Sequence, residues 1–141
     1  MIISNEMSPM FDEIKVRKAF KVGVPSALLL GLVMVFWPVG FWRLLGIELG
    51  DAPFPAVLYG SVIVGVGLAS IAGARAPRSH VGLLLFLTCY KGVAVLFLLG
   101  HALSMLTDGK SVPVVVWVIA ALWLHQAVTN ARLYPWGLQD P

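Results

Sequence analysis

Long apolar runs alternate with short polar links along the chain. The hydrocarbon core of a bilayer is about 30 Å thick, so a helix that crosses it needs about 20 apolar residues in a row. Four runs of roughly this length lie between charges or proline and glycine breaks, and they cover about residues 22–40, 55–74, 81–106 and 113–133. The pattern therefore predicts four membrane-spanning helices.

Short links join these helices, at residues 41–54, 75–80 and 107–112. Such links place consecutive helices side by side and antiparallel. We therefore predict an all-α fold, an antiparallel up-down four-helix transmembrane bundle at residues 22–133. It is preceded by a cytoplasmic segment at residues 1–21 and followed by a cytoplasmic tail at residues 134–141.

The N-terminal segment has a periodic pattern of its own. Ser8 and Pro9 suit a helix cap and a first helical position. Apolar residues around them recur at three- and four-residue steps, at Met7, Met10, Phe11 and Ile14. We expect a short amphipathic helix at the membrane interface.

Composition agrees with a membrane protein. Of 141 residues, 59% are hydrophobic and 12% are charged, and the mean hydropathy is +0.88. Soluble domains have about a quarter of their residues charged, so soluble enzymes, secreted disulfide scaffolds and disordered chains are excluded. The single cysteine, Cys89, can form neither an internal disulfide nor a cysteine-cluster metal site.

Basic residues predict the orientation, because loops rich in Lys and Arg stay cytoplasmic. Seven of them fall at one level of the predicted bundle, at Lys15, Arg17, Lys18, Lys21, Arg75, Arg78 and Arg132. Only Arg43 and Lys110 fall at the other level. We therefore predict that both termini are cytoplasmic.

Small residues recur at four-residue steps on the second predicted helix, at Ser61, Gly65, Ala69 and Gly73. Ladders of this kind let helix backbones approach closely in lipid. Two interpretations are open: packing on neighbouring helices of the same chain, and docking of another subunit. In either case Val62 and Val66 are expected to face lipid.

Lys91 is the one charged residue inside the third predicted span, about 15 Å from its inner end. A lysine at such depth costs about 2.5 kcal/mol or more, so it is expected to face the bundle interior or water. No acidic residue lies in any of the four spans. Its partner is then a hydroxyl, a carbonyl, water or an external anion. The alternative is a lysine whose stem snorkels to the interface or meets another protein.

Four other polar residues are predicted in the same half of the membrane as Lys91: His125, Gln126, Thr88 and Ser70. The set has a lysine and a histidine but no carboxylate. It therefore suits an anionic or carbonyl-bearing ligand, or a polar partner surface, better than acid–base catalysis. We predict a ligand or partner contact here, with no catalytic residue and no metal site.

Three histidines raise the alternative of a haem, which facing imidazoles in helix bundles can ligate. His101 and His125 are predicted to differ in depth by about 10 Å, and His80 lies in a link, which disfavours paired ligation. We predict no cofactor, with quinone, lipid and haem as open alternatives. Motifs of hydrolases, metalloproteases, nucleotide-binding proteins and redox dithiols are missing from the sequence.

Aromatic residues cluster near the ends of the predicted spans. We interpret them as interfacial belts. The outer belt contains Trp37, Phe41, Trp42, Phe54, Tyr59 and Trp117, and the inner belt contains Tyr134 and Trp136.

Three segments give the chain a family resemblance. They are Phe41-Trp42-Arg43-Leu44-Leu45-Gly46, the stretch from Val57-Leu58-Tyr59-Gly60-Ser61 to Ala74-Arg75-Ala76-Pro77, and the span with Lys91. In this layout, over about residues 20–133, the chain resembles the broad DoxX-like class of small bacterial four-helix membrane proteins. The resemblance implies a multi-pass protein of the bacterial inner membrane. Some members of the class are associated with quinone-linked sulfur oxidation, and others with respiratory or stress-related assemblies.

We therefore expect a non-catalytic integral membrane subunit or accessory protein of a larger assembly. Its expected partners are the lipid bilayer and other membrane subunits, and not nucleic acid. One alternative is a redox-associated accessory protein that binds quinone or lipid near Lys91 and His125. A second is a small transporter, which the lack of carboxylates in the spans and of internal repeats disfavours.

Overall fold

Helices make up nearly all of the chain that the computed structural model describes, which is residues 12–50 and 53–135. They are α1 (Glu13–Phe36), α2 (Pro38–Leu44), α3 (Phe54–Arg75), a 3-10 turn (Arg78–His80), α4 (Val81–Thr107) and α5 (Val114–Leu133). Four of them, α1, α3, α4 and α5, are long and apolar enough to cross a membrane. The predicted fold class, an all-α four-helix bundle, is confirmed.

The first helix begins at Glu13, well before the predicted span. Asp12 caps it, because its carboxylate accepts a hydrogen bond from the Lys15 backbone N–H at 3.0 Å and pairs with the Lys15 ammonium at 2.8 Å. The side-chain and backbone bonds from Lys15 hold the pKa of Asp12 below its ordinary value. Pro25 consequently lies inside α1 and not in a first turn, where a proline is best tolerated. The predicted interfacial helix lies outside the described residues, except Ile14, which belongs to α1.

A short helix that the pattern does not predict follows α1. Residues before a proline avoid the α conformation, so α1 ends at Phe36 and Pro38 opens α2. Gly46 then turns the chain with φ +77°, a conformation that favours glycine. The sequence pattern assigns this stretch to the end of a span and a link, whereas the structure folds it into a helix of 7 residues.

The four long helices form two antiparallel pairs, α1 with α3 and α4 with α5. Contacts between α1 and α5 join the pairs, and α3 and α4 touch each other little. One end of the bundle holds the start of α1, the α3–α4 connection and the end of α5. We call it the basic end, because it carries Lys15, Arg17, Lys18, Lys21, Arg75, Arg78 and Arg132.

Glycines allow α1 and α3 to approach closely. A Cβ built on Gly60 would lie 2.7 Å from the Cβ of Met34, and one on Gly31 would lie 2.9 Å from the Gly60 carbonyl oxygen. Buried residues of α3 recur at alternating three- and four-residue steps, at Ala56, Gly60, Ile63, Gly67, Ser70 and Ala74. This is the spacing of a helix seam that faces one partner.

The predicted small-residue ladder mostly lies on another face of α3. Ser61, Gly65 and Ala69 are exposed, and only Gly73 is buried, with Phe20 beside it. Internal packing is therefore the wrong interpretation for the first three. A four-residue step exceeds a full helical turn by about 40°, so the ladder winds around α3 and reaches the buried face only at its end. Val66 is also buried, contrary to expectation.

Large apolar side chains cover the outside of the long helices. More than half of the surface of each of Leu29, Leu68, Leu96, Leu103 and Val118 is exposed. Soluble proteins rarely expose apolar surface on this scale. The exterior is thus compatible with a multi-pass membrane protein.

Candidate functional site

Polar residues of three helices meet in a cavity at the basic end, which we call the basic pocket. Its volume is about 290 Å³. It is lined by Lys15, Lys18, Ala19, Val22 and Gly23 of α1, Lys91 of α4, and His125, Gln126, Thr129, Asn130 and Leu133 of α5. The structure therefore brings three of the predicted site residues, Lys91, His125 and Gln126, to one cavity.

Lys91 is buried at the inner wall of this pocket, with 5% of its surface exposed. Its ammonium donates a hydrogen bond to Oε1 of Gln126. The Nε2 of Gln126 donates to Oγ of Ser26 at 3.4 Å, and this hydroxyl donates to the Gly23 carbonyl at 3.0 Å. The series of bonds links α4, α5 and α1, and it orients the amide oxygen of Gln126 toward the lysine.

The charge of Lys91 has no acidic partner among the described residues. An ammonium carries three donors, and Gln126 supplies one neutral acceptor. Burial of a charge without a counter-ion is costly. The basic pocket is therefore electrostatically suited to a negatively charged group.

Two of the predicted site residues lie elsewhere. Thr88 donates its hydroxyl to the Leu84 carbonyl at 2.8 Å, and Ser70 donates to the Val66 carbonyl at 2.8 Å. Each hydroxyl is satisfied by its own helix. Neither residue is among those that line the basic pocket.

Sequence reasoning missed Lys15, Lys18 and Asn130 as members of this pocket. The sequence pattern assigns the two lysines to a segment outside the bundle, but the continuous helix α1 carries them to the rim of the pocket. The sequence does contain a signal for the faces that line this pocket, because the lining residues of α1 and of α5 each recur at three- and four-residue steps on one helix face.

A second and larger cavity lies toward the other end of the bundle, and we call it the aromatic cavity. Its volume is about 690 Å³. All five α-helices contribute to its apolar wall, which includes the rings of Phe41, Trp42, Tyr59, Phe86, Tyr90, Phe97 and Trp123. It is half-open between α3 and α4, where the lining residues Pro55, Phe86 and Val93 are exposed.

Neighbouring rings form a continuous series along this wall. The centroids of Trp42 and Tyr59 are 6.2 Å apart, as are those of Tyr59 and Tyr90. Phe86 stacks on Tyr90 with centroids 6.0 Å apart and planes 13° apart. These distances are typical of favourable aromatic contacts.

Few polar atoms interrupt the apolar wall. The hydroxyl of Tyr90 donates to that of Tyr59 at 3.2 Å. The indole Nε1 of Trp42 is buried and has no hydrogen-bond partner among the described residues. Buried indole N–H groups usually have a partner, so this unpaired donor is unusual.

The outer aromatic belt is a wrong interpretation for three residues. Phe41 is buried, and Trp42 and Tyr59 are half-buried in the wall of the aromatic cavity. The short helix α2 carries Phe41 and Trp42 against the bundle instead of along the interface. Trp37, Phe54 and Trp117 are exposed, as the interpretation requires.

The three histidines lie in different surroundings. His101 contacts the Leu45 carbonyl at 3.0 Å, His80 contacts the Ala76 carbonyl at 2.9 Å, and His125 lines the basic pocket. They form no facing pair for a haem. The described residues also contain no cluster of His, Cys, Asp or Glu suited to a metal ion.

Comparisons with models of known protein families, with characterised proteins and with solved structures find no match for this chain. The resemblance to the DoxX-like class therefore stays a prediction.

Proposed function

We propose that this protein is a non-catalytic accessory subunit of the membrane that holds a lipid-soluble molecule in the aromatic cavity. The observation that carries the proposal is a half-open apolar cavity walled by aromatic rings, among them the hydroxyl-bearing Tyr59 and Tyr90. The ligand class is an apolar molecule with an acceptor oxygen. Quinones belong to this class.

Size and access favour such a ligand. Cavities of about 300–1,000 Å³ with apolar walls and a few placed polar groups are typical of small-molecule sites. The aromatic cavity, at about 690 Å³, falls in this range. Its opening lies between two long apolar helices, α3 and α4, so a molecule dissolved in lipid could enter from the side.

The polar atoms of the wall favour a carbonyl group. The wall contains two hydroxyl-bearing side chains, Tyr59 and Tyr90, whereas Nε1 of Trp42 is enclosed by protein atoms. Because Tyr90 donates to Tyr59, the hydroxyl hydrogen of Tyr59 is free to donate to a ligand. The sequence places a quinone or lipid near Lys91 and His125, whereas we place the quinone in the aromatic cavity beside Tyr59.

The test is titration of the purified full-length protein in mild detergent with a short-chain benzoquinone, followed by calorimetry. Tyr59→Phe keeps an aromatic ring and removes the hydroxyl donor, so affinity should fall about two- to tenfold. Cys89→Trp, at an exposed position of the lining, should obstruct the opening and weaken binding further. Trp117→Phe, exposed and outside the cavity, is the matched control. Equal affinity in all four proteins would contradict the proposal.

A second candidate function, docking of another subunit on α3, is favoured by a separate observation. Ser61, Gly65 and Ala69 are exposed, and no described atom of another helix lies within 4 Å of a Cβ built on Gly65. Close approach of small residues is a common helix contact in lipid. Gly65→Leu combined with Ala69→Leu should therefore shrink a native complex on a blue-native gel. Val118→Leu, exposed on α5 and away from this face, is the control, and an unchanged complex in the double variant would remove this candidate.

A further inference from the structure

Several hydrogen-bond donors line the basic pocket, and no described lining residue is negatively charged. Lys91 uses one of its three donors on Gln126. Asn130 lines the same pocket with 4% of its surface exposed, and its side-chain amide bonds to no described residue. Two buried side chains from different helices therefore present free N–H groups to one cavity.

The rim of the pocket adds positive charge. Lys18 lines it and forms no ion pair with any described residue. Lys15 also lines it but pairs with Asp12 at 2.8 Å. None of the described lining residues is acidic. The pocket thus has a net positive charge, with Asp12 as the one carboxylate paired to its rim.

Space for a ligand exists beside the ammonium of Lys91. The facing residue of α1 is Gly23, whose Cβ, if it had one, would lie 3.9 Å from Nζ. The total volume, about 290 Å³, equals that of about ten molecules of liquid water. This is enough for a tetrahedral anion and part of its substituent, but not for an acyl chain.

We propose that the basic pocket binds the phosphate group of a phosphate ester. A phosphate offers several acceptor oxygens and a full negative charge, and lysines bind it as point charges. Lys91 and Asn130 would donate to the oxygens from the inner wall, and Lys18 would approach from the rim. This proposal does not depend on the ligand of the aromatic cavity.

Two sources can supply this group: the headgroup of an anionic phospholipid, and a soluble phosphate ester. Basic pockets between membrane helices on the cytoplasmic side commonly receive anionic lipid headgroups. The basic end is the one that the charge pattern predicts to be cytoplasmic. The experiment therefore has one arm for each source.

The experiment uses the full-length protein, delipidated in a neutral detergent. In the first arm, native mass spectrometry compares retention of phosphatidylglycerol with that of phosphatidylcholine carrying the same acyl chains. In the second arm, calorimetry measures binding of glycerol 3-phosphate and of inorganic phosphate. Selective retention of phosphatidylglycerol identifies a lipid site, and binding of glycerol 3-phosphate or phosphate identifies a soluble ester.

Three variants connect the binding to the pocket. Lys18→Gln should weaken it about fivefold, the effect of one lysine near an anionic group. Lys91→Met should weaken it at least about tenfold, because a charged hydrogen bond is lost. Asn130→Asp, nearly isosteric, places a carboxylate in the pocket and should abolish binding.

The matched control is Lys21→Gln, which makes the same charge change on α1 at an exposed residue outside the pocket. Binding by this variant should equal that of the wild type. Because Lys18 is exposed, Lys18→Gln keeps the test valid even if Lys91→Met fails to fold. The proposal is overturned if no ligand binds in either arm, or if Lys18→Gln and Lys21→Gln weaken binding equally.

Discussion

Lys91 agrees with both interpretations of its sequence position, a lysine that faces the bundle interior and a lysine whose stem snorkels. In a helix the Cα–Cβ bond tilts toward the N-terminus, and the N-terminus of α4 lies at the basic end. Its stem therefore extends toward the level of Gly23, near the polar start of α1. The lysine is buried and yet approaches the edge of the apolar region, which lowers the cost of its charge.

The bond between Lys91 and Gln126 should be measurable as a coupling energy. Gln126→Leu leaves a buried ammonium without its acceptor, so the free energy of unfolding should fall by about 1–3 kcal/mol. Lys91→Met leaves only a neutral amide unpaired and should cost less. Since both changes remove the same bond, the double variant should be less destabilised than the sum of the two.

Unfolding by SDS titration of the purified protein measures this cycle, and the expected coupling is about 0.5–3 kcal/mol. Gln126→Glu supplies a contrast, because it keeps the acceptor and adds a countercharge to Lys91. Additive losses in the double variant would mean that the two side chains do not interact in the membrane.

At the level of the helix, the seam of α3 explains which glycines matter. The steps between Gly60, Ile63 and Gly67 average 3.5 residues and keep one face toward α1. The four-residue ladder attracts attention in the sequence because its members are all small. Small size alone cannot identify the buried face when lipid covers the other faces, since apolar residues occur all around the helix.

Glycine substitutions on α3 should therefore separate the two faces. Gly60→Ala puts a Cβ 2.7 Å from that of Met34, so the free energy of unfolding should fall by about 1–3 kcal/mol. Gly65→Ala meets no described atom of another helix within 4 Å and should be neutral, or stabilising by up to about 1 kcal/mol.

Thermal or SDS-induced unfolding of the two purified variants, each compared with the wild type, provides the measurement. The two substitutions are chemically identical and lie on the same helix, so each serves as the control for the other. A larger loss at Gly65 than at Gly60 would contradict the observed seam.

Sequence patterns predicted the long helices better than the short one. Four apolar runs are a strong signal, and α3, α4 and α5 begin and end within a residue or so of their predicted limits, whereas α1 starts earlier. The helix α2 has 7 residues, which is about two helical turns. This length is too short for periodicity to distinguish a helix from a link.

For the whole molecule, the distribution of basic residues predicts which end faces the cytoplasm. Seven Lys and Arg residues lie at the basic end, against Arg43 and Lys110 at the other. Alkaline phosphatase fused after Glu48 or Asp108 should therefore be active, and green fluorescent protein fused after Ser79 should fluoresce. Phosphatase activity at Ser79 together with none at Asp108 would reverse the orientation.

Only part of the candidate site was predictable at this scale. Depth arithmetic placed Lys91, His125 and Gln126 at one level, and the structure joins them in one pocket. The same arithmetic could not exclude Thr88 and Ser70, because depth does not specify which helix faces meet. The aromatic cavity depends on α2 and on the small contact between α3 and α4, neither of which has a sequence signature.

The pairing of α1 with α3 and of α4 with α5 has a consequence for biogenesis. Each pair is a helical hairpin that makes most of its contacts within itself, so we expect the two hairpins to insert as two successive, largely self-sufficient units. A chain divided in the exposed turn at Ser79 and produced as two co-expressed fragments should then reassemble. Recovery of the second fragment through an affinity tag on the first would show that the two hairpins associate. Because residues of both hairpins line each cavity, ligand binding by the recovered pair would then report that the cavities have formed.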